Sequence, residues 1–178
     1  MEAAAKNFFS SPQFAVVGAS SDPAKFGHIV FKWYLAHSLP CTPINPSSST
    51  IHIPSPPSKK SSPTAAAGPG VDIPTVPTIT ALPSPTQTAL SVITPPKVTS
   101  KILREAKEAG IRAVWLQPGS FDQETLDWAK REIGREKVVG GGDGEGEAGS
   151  VGGEGWCVLV DGENSMKAAG RKSGGGRL

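Results

Sequence analysis

Short apolar runs separated by turn residues alternate along this chain with segments whose apolar residues recur at helical spacing. The first run, residues 14–17, ends at Gly18 and is typical of a strand buried on both faces. Asp22 and Pro23 then favour the start of a helix. One face of that helix is predicted from the apolar residues at positions i, i+3, i+4 and i+7, which are Phe26, Ile29, Val30 and Trp33.

The same alternation continues to the end of the chain. It predicts further strands over 41–46, 89–94, 111–116 and 137–139, and an apolar strand or extended segment over 156–160. Pro95 and Pro96 open one helix, whose apolar stripe is Val98, Ile102, Leu103 and Ala106. Ser120 and Gln123 have the spacing of a capping box that opens the next helix. Residues 1–13 are expected to form an arm with one helical turn.

Strands that alternate with helices predict an α/β fold. We expect a Rossmann-like, doubly wound parallel sheet of five strands with helices on both faces, in three layers, interrupted by low-complexity insertions. The single domain would cover residues 1–165, with flexible insertions at 46–75 and 140–155 and a disordered basic tail at 166–178. The first insertion is rich in Ser and Pro and has almost nothing to bury. A remnant of a crossover helix is expected around 78–82.

Composition narrows the function classes. Hydrophobic residues make up 37 % of the 178 residues, and the formal charge of +2 is too weak to argue for nucleic acid. The two cysteines form neither a disulfide framework nor a zinc site. The sequence shows no signal-peptide pattern and no run long enough to span a membrane. We therefore expect a cytoplasmic protein, with the mitochondrial matrix left open, and we leave a homodimer or a partner chain open as well.

Polar turns follow the predicted strands where a parallel sheet binds ligands, which is outside the carboxyl ends of its strands. A turn with free backbone N–H groups at the start of a helix is a phosphate site, although a turn without a ligand is an equally good reading of residues 18–21 alone. Together the four turns favour a nucleotide-type ligand. They are Gly18-Ala19-Ser20-Ser21, Asn45-Pro46, Thr94-Pro95-Pro96 and Gln117-Pro118-Gly119.

Two features disfavour NAD as that nucleotide. The dinucleotide fingerprint G-x-G-x-x-G retains only Gly18, because Ser20 and Pro23 stand at the other glycine positions. Asn45 stands at the end of the second strand, where that fingerprint expects an acidic residue for the ribose hydroxyls. A P-loop is also absent from the sequence.

Five sequence blocks resemble the small CoA-binding proteins, which are similar to the N-terminal domain of the succinyl-CoA ligase alpha subunit. The blocks are VVGASSDPAKFGH, TPINP, SVITPP, AVWLQPG and CVLVDGE, and they cover roughly residues 10–45, 76–139 and 156–163. The resemblance implies a five-stranded parallel sheet in the order 3-2-1-4-5 and coenzyme A, or an acyl-CoA, as the ligand. The chain departs from the family pattern in the insertion after TPINP and in the Gly/Glu-rich segment 140–155.

The resemblance also implies roles for particular residues. Gly18, Ala19, Ser20 and Ser21 would surround the CoA phosphates, and Lys25 would add a charge to them. Asn45 and Pro46 would lie near the adenosine. Thr94, Pro95 and Pro96 would form the opposite wall, and Gln117 would line the far side.

A catalytic constellation is not visible in the sequence. His28 could approach a phosphate, but a solvent-facing helix histidine is the more common case. Cys157 could form a mixed disulfide with CoA or act as a nucleophile, and a buried structural cysteine is the more common reading. The sequence therefore favours a non-catalytic CoA or acyl-CoA binding module. An NAD(P)-dependent oxidoreductase fragment, a ligase component acting with a partner chain, and an interaction module based on the Pro/Ser-rich insertion are the alternatives.

Overall fold

The computed structural model describes residues 1–55, 70–141 and 155–171. The strands in these ranges are β1 Gln13–Val17, β2 Cys41–Ile44, β3 Thr50–Ile53, β4 Val71–Pro74, β5 Thr88–Val92, β6 Ala113–Leu116 and β7 Val138–Val139. The α-helices are α1 Glu2–Phe9, α2 Phe26–Ala36, α3 Pro96–Glu108, α4 Gln123–Ala129 and α5 Val158–Ala168. A short 3₁₀ turn, Ile79–Ala81, lies where the crossover remnant is predicted. None of the helices in the described ranges combines the length and the apolar character needed to cross a membrane.

Five of the strands form one parallel sheet in the order β2-β1-β5-β6-β7. The predicted α/β class is therefore confirmed, but the predicted order 3-2-1-4-5 is wrong, because β5 lies directly beside β1 and leaves β2 at the edge. Pro43 is in β2, and an edge strand tolerates a residue that has no N–H to donate. The chain reverses direction across the sheet between β1 and β5, which places the topological switch point there.

The sheet lies between two helical layers, as the predicted three-layer arrangement requires. Phe14 and Val16 belong to the core under α1, α2 and α5, whereas Ala15 and Val17 belong to the core under α3 and α4. Successive residues of a strand point to opposite faces, so a strand in the middle layer needs apolar residues at every position. This explains the uninterrupted apolar run that predicted β1.

The N-terminal segment is a packed helix, so the predicted arm is wrong beyond its single helical turn. Ala4, Ala5, Phe8 and Phe9 of α1 are buried. The Phe8 and Phe9 rings contact the Trp115 ring at centroid distances of 5.4 and 5.7 Å. Such aromatic pairs fix the helix against the sheet.

The apolar segment 156–160, predicted as a strand, begins helix α5 instead. The Asp161 Oδ2 atom accepts the Cys157 N–H at 2.8 Å, and the Gln117 Oε1 atom accepts the Val158 N–H at 3.0 Å. These two acceptors satisfy backbone donors of a helix start, and the second comes from a distant strand. The predicted tail is also wrong for residues 166–171, because Met166 is buried and the Arg171 side chain donates to main-chain carbonyls beside α1.

The predicted flexible insertion 46–75 contains an antiparallel hairpin at its two ends. Strands β3 and β4 pair with Ile51 opposite Ile73, and Ile51 and Ile53 are buried in the core that contacts α2. The expectation that this insertion has almost nothing to bury is therefore wrong for its ends. Residues 56–69, 142–154 and 172–178, which carry the rest of the predicted flexible segments, lie outside the described residues.

Two predicted helix starts are displaced. Asp22 accepts the N–H groups of Ala24 and Lys25 in a turn, and α2 begins only at Phe26. The buried face of α2 is rotated accordingly, so that Ile29 is 43 % exposed. Helix α4 is capped by Asp122 rather than by the predicted Ser120 pair, because the Asp122 carboxylate accepts the Thr125 N–H at 2.8 Å.

The stripe predicted for α3 is also rotated by part of a turn. Leu103 and Ala106 are buried as predicted, but Val98 is 44 % exposed and Thr99 is buried in its place. The Thr99 hydroxyl donates to the Thr94 carbonyl at 2.8 Å, which satisfies the polar group that the rotation buries.

Candidate phosphate-binding site

The loop between β1 and α2 begins at a glycine that the backbone requires. Gly18 has a φ of +93°, which side chains with a Cβ rarely adopt. A Cβ at this position would lie 3.4 Å from the Thr94 Cγ2 atom, so the ends of β1 and β5 touch at the switch point. This is the place where the sequence predicts the site.

A second glycine brings helix α2 against the loop. A Cβ on Gly27 would lie only 2.0 Å from the Gly18 carbonyl oxygen, so only glycine fits between them. Close packing of helix on strand is also the role of the third glycine in the dinucleotide fingerprint, although the spacing here differs. Because of that spacing, the fingerprint does not predict a role for Gly27. A glycine within an apolar helical pattern lowers helix stability and usually has a packing or functional reason, and this was the signal in the sequence that could have identified Gly27.

Asn45, at the end of β2, holds the next carbonyl of the loop. Its Nδ2 atom donates to the Ala19 carbonyl at 2.9 Å, and its Oδ1 atom accepts the Ser47 N–H at 2.8 Å. Both ends of the side-chain amide are therefore used within the protein. Asn45 fixes the shape of the loop, which is a different task from binding ribose hydroxyls.

His28 holds the third carbonyl. Its side chain lies in the first turn of α2 and the residue is only 3 % exposed, so the expectation of a solvent-facing histidine is wrong. The Nδ1 atom lies 2.9 Å from the Ser20 carbonyl oxygen. Because a carbonyl can only accept, Nδ1 carries the proton in this contact.

Three consecutive carbonyls of the loop are thus turned toward the protein, by Gly27, Asn45 and His28. The described peptide bonds are all trans, and in a trans peptide the following N–H points opposite to the carbonyl. Within the described ranges, the N–H groups of Ala19, Ser20 and Ser21 donate no hydrogen bond. Successive free N–H groups beside a helix start form a concave site for an anion.

The remaining predicted site residues surround this loop to different degrees. Lys25 is exposed at the cap of α2, and Pro46 is exposed directly after Asn45. On the opposite side, the Thr94 hydroxyl lies 2.9 Å from that of Thr99, and α3 begins at Pro96. Pro95, the cap of α3, is exposed.

Gln117 does not reach the surface. It is fully buried, its Nε2 atom donates to the Ser91 hydroxyl at 3.0 Å, and its Oε1 atom accepts from Val158. The side chain therefore joins β5, the end of β6 and α5 beneath the edge of the sheet, and both ends of its amide are hydrogen-bonded there.

The β3–β4 hairpin forms a wall that the sequence left undefined. The His52 N–H donates to the Ser21 hydroxyl oxygen at 3.0 Å, so the outer edge of β3 lies alongside the loop. Part of the predicted insertion is therefore adjacent to the candidate site.

Both cysteines are partly buried. Burial raises the pKa of the Cys41 thiol well above its ordinary value, so the thiol stays protonated at neutral pH. Cys157 is partly buried at the cap of α5. Among the described residues, no group of three or more His, Cys, Asp or Glu side chains is arranged to hold a metal ion.

A groove of about 670 Å³ lies between α3 and α4 and meets the candidate site at Pro96. Its lining is mixed in charge and contains both basic residues, such as Lys97 and Arg131, and acidic residues, such as Glu124 and Asp127. The Arg104 guanidinium lies 4.9 Å from the centre of the Trp128 ring.

A parallel sheet with free backbone N–H groups at its switch point is the arrangement of the doubly wound α/β class, whose members bind ligands at that edge. Over residues 12–142 the chain matches the CoA binding domain family, and it belongs to that family. The predicted resemblance is therefore confirmed. No functionally curated protein gives a significant match.

Solved structures support the fold. A hypothetical protein from Pyrococcus horikoshii is 20 % identical, with a TM-score of 0.59 over 78 % of this chain and 83 % of that one. A conserved hypothetical protein from Pyrococcus furiosus is 25 % identical, with a TM-score of 0.54 over 71 % and 90 %. A protein from Thermus thermophilus is 22 % identical, with a TM-score of 0.57 over 78 % and 90 %.

Proposed function

We propose that this protein binds coenzyme A, or an acyl-CoA, with the ligand phosphates on the loop between β1 and α2. The observation that carries the proposal is the row of three free N–H groups at Ala19, Ser20 and Ser21, in a chain of the CoA binding domain family. Backbone donors fixed by other parts of the protein bind anions without rearrangement.

The other residues have supporting roles in this proposal. Lys25 adds a positive charge at the start of α2, and Pro46 borders the adenosine. Thr94, Pro95 and Pro96 form the opposite wall. Gly18, Asn45 and Gln117 shape the site from within, and the chain acts as a binding module without catalytic residues.

The test uses a matched pair of substitutions at Ser21. Aspartate and asparagine both keep an acceptor for the His52 N–H, but only aspartate adds a negative charge beside the N–H groups. We expect Ser21→Asn to bind CoA within about threefold of wild type and Ser21→Asp to bind at least about tenfold more weakly, because of charge repulsion at close range. Calorimetric titration measures both affinities, with NAD and ATP as comparison ligands.

Two results would overturn the proposal. One is that CoA fails to bind to the wild-type protein, or binds no more tightly than NAD. The other is equal CoA affinity of the aspartate and asparagine variants, which would move the phosphates away from this loop.

A further inference from the structure

The β3–β4 hairpin lies where the sugar of a nucleotide ligand would be. In open parallel sheets the ribose is held at the end of the second strand of the site, which is Asn45 here. The hairpin begins five residues later at Thr50. Its outer edge is hydrogen-bonded through the His52 N–H and Ser21 to residues 18–21 of the loop between β1 and α2, which we call the phosphate loop. The hairpin is therefore the element adjacent to the ribose.

The His52 ring is fixed on the exposed side of this hairpin. Its Nδ1 atom lies 2.8 Å from the Asp72 carboxylate, on the residue directly opposite in β4. A Cβ on Gly70 would lie 2.6 Å from the ring atoms Cε1 and Nε2, so the missing side chain makes room for the imidazole. The side chain is still 49 % exposed and can reach a ligand.

The chemistry of the pair leaves one ring nitrogen for an anion. The carboxylate can only accept, so Nδ1 of His52 donates to Asp72. In the imidazolium form Nε2 also donates, and it points away from the bond to Asp72. Among the described residues of the hairpin, His52 is the only side chain that can become positively charged.

We infer that His52 makes the site selective for a nucleotide that carries a phosphate on its ribose, which it contacts through Nε2. This inference rests on the proposed function. It concerns the ribose end of the ligand, which the phosphate loop does not contact. CoA carries a 3′-phosphate on its ribose, and dephospho-CoA differs from it only in lacking that group. His52 would thus distinguish two ligands that the phosphate loop cannot tell apart.

The experiment compares the dissociation constants of CoA and dephospho-CoA by calorimetry. We expect wild type to prefer CoA by about tenfold, as a charge-assisted hydrogen bond would give. His52→Gln should reduce the preference to about one, by weakening CoA and leaving dephospho-CoA unchanged. His52→Lys restores a positive charge and should restore the preference. Thr50→Ala, on the same exposed face of β3, is the control and should keep it.

The outcomes separate the two proposals. If wild type binds neither compound, the proposed function fails. If wild type binds both equally, or if His52→Gln retains the preference, the site stands and the role of His52 is refuted. Loss of the preference in a Lys59→Ala, Lys60→Ala double variant, with His52 intact, would also refute it. Melting temperatures show whether each variant is folded. If His52→Gln is not folded, the preference of His52→Lys for CoA over dephospho-CoA provides the second test.

Discussion

Gly27 fixes the distance between helix α2 and the first strand. The gap between its Cα and the Gly18 carbonyl is too small for even one methyl group, since a Cβ would come within 2.0 Å of the oxygen. The atom it would meet is backbone, which cannot rotate away as a side chain does. The start of α2 and the first carbonyl of the loop between β1 and α2 are therefore positioned together.

We predict that Gly27→Ala destabilises the protein although alanine favours helices. Overpacking of this kind costs about 1–3 kcal/mol, which corresponds to a fall in Tm of about 2–12 °C for a chain of this size. Thermal unfolding followed by circular dichroism measures the change. Lys32→Ala, at an exposed position of the same helix, is the control. An unchanged Tm for Gly27→Ala would show that the loop moves without cost.

His28 gives a second prediction at this scale, because two substitutions separate its hydrogen bond from its size. Asparagine places a donor near the position of Nδ1 and can still reach the Ser20 carbonyl, whereas leucine fills the space without a donor. We expect His28→Asn to bind CoA within about threefold of wild type and His28→Leu to lose about tenfold, since the loop carbonyl loses its partner. Calorimetric titration measures both affinities. Equal binding by both variants would contradict a positioning role for His28.

The sequence predicted the location of the loop but not the residues that hold it. Gly18 follows an apolar run and is visible as a turn residue in the sequence alone. Asn45 and His28 act on the loop through contacts across 26 and 8 residues, and such contacts depend on how the elements pack. Hydrophobic spacing reports which face apolar residues bury, and it carries no signal for His28, whose buried ring makes a polar contact.

At the scale of elements, we expect substitution in the β3–β4 hairpin to lower the free energy of unfolding more than replacement of the segment between its strands. Ile51 is fully buried, whereas residues 56–69 are rich in Ser, Pro and Ala and lie outside the described ranges. We predict that Ile51→Ala lowers the free energy of unfolding by about 2–5 kcal/mol. Replacing 56–69 with a short Gly/Ser link should change it by less than about 1 kcal/mol, because loop closure depends weakly on length. Urea denaturation measures both. A loss from the replacement as large as that from Ile51→Ala would contradict this division.

The cap of α4 gives a prediction that depends on pH. Hydrogen bonds from the side chain and backbone of Thr125 hold the pKa of Asp122 below its ordinary value. A carboxylate with a lowered folded-state pKa stabilises the protein above its unfolded-state pKa of about 3.9, and this contribution is lost as the pH falls through the lower value. Asp122→Ala should therefore lower Tm at pH 7, and the difference from wild type should shrink below about pH 4. Asp127→Asn is the control. A difference that persists unchanged at pH 2 would contradict the role of the charge.

The sequence predicts most accurately the elements whose buried residues recur at a regular spacing. Strand β1 and helix α3 were predicted within a few residues of their bounds. The start of helix α5 has the pattern of a strand because Val158, Leu159 and Val160 are adjacent apolar residues. The acceptors that favour a helix start, Asp161 and Gln117, lie outside that run. The Gln117 contact spans 41 residues and has no local signal.

At the scale of the whole molecule, α5 completes one face of the sheet. Val158 and Met166 are buried, and Trp156 packs near Trp115 with its main-chain carbonyl accepting the Trp115 indole N–H at 3.1 Å. We predict that a chain ending after residue 155 loses cooperative unfolding. Three buried side chains would leave with α5, at about 1.5–3 kcal/mol each, and their sum is comparable to the stability of a typical domain.

Thermal unfolding and the emission maximum of tryptophan measure this loss, since Trp115 would become exposed to water. A chain ending after Arg171 keeps every contact of α5 described above and is the matched control. Cooperative unfolding of the shorter chain near the wild-type Tm would show that α5 is dispensable.

The meeting of α1 and α5 has a consequence for how the protein is made. The Arg171 side chain reaches the carbonyls of Phe9 and Ser11 across 162 and 160 residues. During synthesis α1 leaves the ribosome well before α5, so the contacts between the two helices form only after the strands between them have been made. Contacts between such distant segments form late and slow the search for the native state. Until α5 has been synthesised, α1 therefore lacks the contacts that cover one of its sides.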